Sequence, residues 1–161
     1  MVEYAFLKKH SLFGGVTEAQ CRIVLPLLRE VCCAQGEAIV EEGRVNDRIY
    51  FIWHGSVEVL KAFQTPSGPR KHRIATLCEG DTFGEMELID VQPCAATVQA
   101  LEDTVLLTLS HRDLYKVSKQ NLKTYTLIIM NLAREISRRL RRMDDLLAKG
   151  LTDEAHSQAA P

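Results

Sequence analysis

Residues Glu79 to Ala100 read EGDTFGEMELIDVQPCAATVQA, a run in which turn, helix and strand signals follow one another closely. Gly80-Asp81 marks a turn. Gly84 follows an aromatic residue and opens one apolar helical turn, Glu85 to Ile89. Gln92-Pro93 breaks the chain, and Cys94-Ala95-Ala96-Thr97-Val98 leads into a strand. A glycine ahead of a short helix lets backbone approach a ligand closely. The start of a helix offers unpaired N–H groups and a partial positive charge, which suits a phosphate. The small side chains of Ala95 and Ala96 leave a second set of N–H groups uncovered. Glu85 is placed to accept hydrogen bonds from sugar hydroxyls.

On either side, from Val31 to Leu109, apolar residues come in short runs: Val31-Cys32-Cys33, Ala38-Ile39-Val40, Ile49 to Trp53, Val57 to Leu60, Arg73 to Leu77, Ala96-Thr97-Val98 and Val105-Leu106-Leu107. Glycines at Gly36, Gly43, Gly55, Gly68 and Gly80 separate most of them. Short strands at such even spacing predict a sandwich or jelly roll. Gln64 to Lys71, with two prolines and a glycine, is expected to be an exposed hairpin loop. Two helices are expected before the strands, Tyr4 to His10 and one starting at Thr17. Gln20 follows Thr17 at capping-box spacing, and Pro26 limits the second helix.

F-G-E-x-x-L followed by P-x-A-A-T-V-x-A, residues 83–88 and 93–100, resembles the phosphate-binding cassette of cyclic-nucleotide-binding domains. Those domains occur in the catabolite-activator-like regulators of bacteria and the regulatory subunits of protein kinase A. The pattern G-E-x-I-x-x-E-G at 36–43, followed by Y-F-I-x-x-G-x-V-E-V at 50–59, is similar to the first four strands of the same family. The resemblance implies a mainly β fold with flanking helices, a β roll or jelly roll ending in a long C-terminal dimerisation helix. It also implies a ligand seat of Phe83, Gly84, Glu85, Met86, Cys94, Ala95, Ala96 and Thr97, in which Glu85 takes the ribose 2′-hydroxyl and Ala95 and Ala96 cap the phosphate. Met143 and Asp144, one turn beyond Arg138-Arg139-Leu140, would lie near the purine base.

Two residues depart from the family pattern. The cassette arginine is Cys94, and a position usually small is Glu87. Loss of one partner from a desolvated charge pair costs about 2–5 kcal/mol, so affinity would fall roughly 30- to several thousand-fold. Arg44, Arg48 and Arg73 are candidate replacement cations. Cys94 is read either as a small residue filling the lost arginine's space or as an activated thiol at an anion site. Ala95 lacks the hydroxyl that cyclic-GMP-selective relatives carry beside the arginine, which favours cyclic AMP.

The chain of 161 residues carries a net charge of −1, which points to neither nucleic acid nor membrane. No run approaches the roughly 18 apolar residues of a spanning helix, and the first residues lack a signal-peptide core. Five cysteines without C-x-x-C spacing read as reduced thiols of a cytoplasmic protein. The five histidines are scattered, and no nucleophile elbow, P-loop or carboxylate pair is present. Neither enzyme, metal site nor cofactor is expected.

Ser110 is placed to cap a helix from His111. After a break near Asn121, a long helix is expected to reach about Ala148. Leu122, Tyr125, Ile129, Leu132, Ile136, Met143 and Leu146 form a heptad seam interrupted by Arg139, with Ile128, Leu140 and Leu147 as a second stripe. The pattern predicts that one stripe packs on the β roll while the seam meets the same helix of a second copy. The expected organisation is one domain over 1–148: helices over 4–30, the roll over 31–110 and helices over 111–148. A flexible tail is expected over 149–161. That tail is too short for a helix-turn-helix module, so sequence-specific DNA binding is not expected. The functional expectation is a stand-alone cyclic-nucleotide-type sensor that binds cyclic AMP weakly. The alternatives are a degenerate, non-binding dimeric scaffold or a sensor of another small ligand.

Overall fold

The computed structural model describes residues 4–66, 68–90 and 92–158, with side chains as far as residue 149. Eight strands form two four-stranded antiparallel sheets. Strands β1 (Arg29–Cys33), β2 (Ala38–Val40), β3 (Arg48–His54) and β4 (Ser56–Thr65) come first. They are followed by β5 (Gly68–Cys78), β6 (Thr82–Phe83), β7 (Thr97–Ala100) and β8 (Thr104–Ser110). One sheet has the order β1-β8-β3-β6 and the other β2-β7-β4-β5, giving the expected β roll. Helices α1 (Tyr4–Lys9) and α2 (Glu18–Val24) precede it, α3 (Glu85–Asp90) interrupts it, and α4 (His111–Gln120) and α5 (Leu122–Gln158) follow it.

The strand β3 shows why the two halves cohere. Successive strand side chains point to opposite faces. Ile49 and Phe51 face the helices with Leu7, Phe13, Leu107, Leu114, Ile128 and Leu132. Tyr50 and Ile52 face inward, between the sheets, with Val57, Phe83, Val98 and Leu106. Both faces are dry, so the strand is a continuous apolar run rather than an alternating one. Each fully buried aliphatic or aromatic side chain contributes about 1.5–3 kcal/mol.

The helix α5 is fixed to the roll by one face. Thr124, Ile128, Asn131 and Leu132 are buried there. The Asn131 amide donates to the carbonyls of Leu12 and Gly14, each at 2.9 Å, and the Ser11 hydroxyl donates to Glu135 at 3.1 Å. Residues three and four apart share a helix face, so the same face carries Glu135 and, one turn on, Arg139. Part of the expected seam is therefore used within the chain: Leu132 is buried, and Tyr125 and Ile129 pack against the core. Leu122, Leu140, Met143, Leu146 and Leu147 remain exposed.

Capping agrees with the sequence: Thr17 and Gln20 form the box, and Ser110 accepts from the Asp113 amide. Two expected boundaries move. The hairpin loop over Gln64–Lys71 is absent, because β4 runs to Thr65 and β5 resumes at Gly68, with Thr65 paired to Gly68. The helix expected to close near Ala148 continues to Gln158. Gly150 costs only about 1 kcal/mol in a helix, and helix-forming residues flank it. Residues 159–161 of the expected tail lie outside the described residues. Among the described residues, no helix is long and apolar enough to cross a membrane.

Candidate functional site

The first half of the site is built on a short pairing. Strand β6 aligns Thr82 with Phe51 and Phe83 with Tyr50. The Phe83 ring is buried and stacks on Tyr50, with centroids 4.8 Å apart. Gly84 then turns the chain with φ +79°, a region that favours glycine. A Cβ at Gly84 would lie 2.5 Å from the Arg48 carbonyl oxygen and 2.9 Å from Asn46 Nδ2. Close packing against β3 thus requires a glycine here.

The turn delivers Glu85 into the interior, where it is 2 % exposed. Arg139 of α5 reaches back to it. One guanidinium nitrogen donates to Glu85 Oε1 and the other to the Thr82 carbonyl. Glu85 Oε2 is buried with no hydrogen-bond partner. Burial pushes the Glu85 carboxyl above its ordinary range, the Arg139 charge pulls it back, and Glu87 and Glu135 add to the upward push. A buried acceptor left unpaired costs about 1–3 kcal/mol.

The second half centres on Cys94 and Ala95. The Cys94 amide donates to the Arg44 carbonyl at 2.8 Å, and its carbonyl accepts from the Gly43 amide at 2.9 Å. These bonds fix the β2–β3 loop against the cassette. The Cys94 thiol is buried, and burial together with Glu87 pushes its pKa up. Both causes favour the reading of Cys94 as a small residue filling the lost arginine's space over that of an activated thiol. A reactive thiolate needs positive surroundings, whereas this thiol is buried and feels the Glu87 carboxylate.

The Ala95 amide donates to Glu87 Oε1 at 3.3 Å, so a carboxylate of the chain itself occupies one of the N–H groups expected to receive phosphate. Ala95 is exposed and Ala96 half-buried. Lys61 of β4 donates to the Ala95 carbonyl at 2.5 Å and to Glu42 Oε1 at 2.6 Å. Thr97 is buried, and its hydroxyl accepts from the Glu42 amide at 3.1 Å, which gives that side chain a scaffolding contact.

The other candidates are dispersed. Met86 is exposed, as are Met143 and Asp144 on the outer reach of α5. Arg44, Arg48 and Arg73 sit on Glu41, Asp47 and Glu58 at 3.8, 3.5 and 3.7 Å. Arg44, Arg48 and Cys94 line one hollow of about 480 Å³, along with Ile39, Val40 and Tyr50. Glu85 is not part of it. Among the described residues, no acidic, histidine or cysteine cluster could hold a metal.

Two residues escaped the sequence reading. Arg139 stood out only as a gap in the seam, yet the roll-facing line Ile128, Leu132, Glu135 leads to it in steps of three and four. Lys61 follows Val57 and Val59 on alternate positions of one strand, and a lysine on the inward side of such an alternation is the signal that could have found it.

The profile of the cyclic nucleotide-binding domain matches residues 30–121. The chain belongs to the cyclic nucleotide-binding domain family. It is 31 % identical over 157 residues to the cyclic AMP receptor protein of Thermus thermophilus, covering 96 % of this chain and 68 % of that one. It is 34 % identical over 116 residues to a cAMP-dependent protein kinase regulatory subunit of Yarrowia lipolytica, covering 71 % of this chain and 28 % of that one. The crystal structure of the Thermus thermophilus catabolite activator protein superposes with a TM-score of 0.72 at 30 % identity, over 86 % of this chain and 63 % of that one. A cyclic nucleotide-binding domain from Methylobacillus flagellatus gives 0.78 at 25 % identity, over 90 % of this chain and 80 % of that one. The cAMP-bound regulatory domain of Toxoplasma gondii protein kinase A gives 0.69 at 25 % identity, over 83 % and 48 %. The family is regulatory rather than catalytic, and its β roll with flanking helices is the fold found here.

Proposed function

We propose that this chain is a cyclic-nucleotide sensor in which cyclic AMP at the cassette acts on α5 through Arg139. The observation that carries the reading is Glu85. It is a buried carboxylate with one oxygen on Arg139 and the other unpartnered. A ribose 2′-hydroxyl donating to Oε2 would satisfy that acceptor, and the Ala95 and Ala96 amides would take phosphate oxygens once Glu87 swings out. Glu87 is only half-buried, so its displacement is cheap.

Ligand at Glu85 Oε2 would engage the carboxylate whose other oxygen is held by an arginine of the long helix. A ligand shifts such an equilibrium only as far as it binds the two arrangements differently, and the Glu85–Arg139 pair is where that difference arises. The free apolar side chains Leu140, Met143, Leu146 and Leu147 would meet the same helix of a second copy, with Met143 and Asp144 beside the base. All five cysteines are unpaired, which fits a reducing, cytoplasmic setting.

Glu87 on the Ala95 amide supports a second reading, a scaffold that has lost its ligand. Calorimetry with cyclic AMP and cyclic GMP separates the two. Saturable heat at sub-millimolar cyclic AMP, with thermal stabilisation, supports the sensor. No heat and no stabilisation at millimolar nucleotide of either kind supports the scaffold.

A further inference from the structure

The cassette lacks its usual guanidinium, and the question is what neutralises a bound phosphate. We propose that Lys61 is the cation that serves the cassette, with Glu42 as its resting counter-ion, an inference that rests on the cyclic-nucleotide reading above.

The placement is specific. Lys61 follows Val57 and Val59 on alternate positions of β4, and its ammonium donates to the Ala95 carbonyl and to Glu42. On the N–H side of the same residue, Ala95 donates to the Glu87 carboxylate. Ala95 therefore already carries an anionic oxygen on its amide and a cation on its carbonyl. A phosphate oxygen replacing the Glu87 oxygen would fall within one residue of the ammonium.

Each arginine near the cassette has a carboxylate partner of its own. Arg44, Arg48 and Arg73 sit on Glu41, Asp47 and Glu58, and Arg139 is committed to Glu85. Lys61 has such a partner too, Glu42, but of these cations it is the one that also donates to the Ala95 carbonyl of the cassette. Its ammonium ends a flexible four-carbon stem with three rotatable donors, and the side chain is 48 % exposed. Glu42 holds it without trapping it: the other Glu42 oxygen accepts from the Ala62 amide at 2.9 Å, so the carboxylate stays in place when the ammonium turns. The exchange swaps one carboxylate partner for a phosphodiester and leaves no buried charge unpaired. A point-charge ammonium lacks the bidentate fork of arginine, so a binding constant weaker than that of an arginine cassette follows.

The test compares cyclic AMP affinity in the wild type, Lys61→Met, Lys61→Arg and Glu85→Ala, with a denaturation midpoint for each to establish that it is folded. Lys61→Met is expected to bind about tenfold more weakly or worse. It should also show a flatter dependence on salt, because one screened charge is gone. Lys61→Arg should stay within about threefold of wild type, and Glu85→Ala should lose binding. Unchanged affinity and salt slope in Lys61→Met, alongside weakened binding in Glu85→Ala, would overturn the role of Lys61 and leave the sensor reading intact. Absence of binding in the wild type would overturn both.

Discussion

Replacing Arg139 by methionine isolates the contact that joins the cassette to the long helix. The substitution keeps an apolar stem and removes the guanidinium, so Glu85 stays buried with neither oxygen partnered. Breaking a buried pair from one side costs about 3–5 kcal/mol. The Arg139 side chain is 31 % exposed and Glu85 2 %, so solvent screens part of the pair and reduces the cost to about 2–3 kcal/mol. For a domain of this size that lowers Tm by roughly 4–12 °C.

The pH dependence has a definite sign. Burial holds the folded Glu85 carboxyl above its ordinary value of 4.5. Its contribution to stability is therefore complete below 4.5 and lost as pH rises through the raised value. Without Arg139 the value rises further, so the deficit of the variant widens with pH and narrows towards pH 4. Urea denaturation of wild type, Arg139→Met, Glu85→Gln and the double variant gives the coupling, expected at about 1–3 kcal/mol, with the double variant more stable than Arg139→Met alone. A loss under about 0.5 kcal/mol in Arg139→Met, or strictly additive single variants, would refute the pairing.

Three further outcomes follow from the same contacts. Cys94→Arg combined with Glu87→Ser should tighten cyclic AMP binding by at least tenfold in calorimetry, since a charge partner enters as a competing carboxylate leaves; no gain would show that the seat is lost for other reasons. His10 is buried, its ring nitrogens have no partner, and burial lowers its pKa from 6.5 against the opposing pull of Asp81 and Glu135. Its stability contribution is thus present above 6.5 and lost as pH falls through the lowered value. His10→Phe should flatten the stability profile below pH 6.5, and an unchanged slope there would count against it. Met143→Asp with Leu146→Asp should shift the chain towards monomer in sedimentation velocity, whereas a monomeric wild type would remove the dimer altogether.

The sequence carried the roll because its signals are local. Glycine-bounded apolar runs fix the strands, and Thr17 with Gln20 fixes a helix start. The spacing from Phe83 to Ala100 fixes the cassette. What it did not carry depends on pairs distant along the chain. Arg139 and Glu85 meet only because Asn131 anchors α5 to the loop at Leu12 and Gly14, and no local pattern announces that anchor. The same holds for Lys61, whose partners Glu42 and Ala95 lie in the segments after β2 and before β7. Gly84 was legible as a glycine requirement, but its cause is the Arg48 carbonyl, a neighbour that appears only after β3 and β6 pair. The seam over Leu122 to Leu146 was legible as a stripe. Tyr125, Ile129 and Leu132 of that stripe are taken up by the chain's own core, while Leu122 stays exposed.

In the proposed sensor, the carboxylate of Glu85 is kept for a ligand's hydroxyl. Calorimetric titration of cyclic AMP into wild type and Glu85→Ala tests this most directly. A saturable isotherm for wild type, lost in a folded Glu85→Ala, is the predicted result. Equal isotherms in the two proteins, or none in wild type at millimolar nucleotide, would contradict it.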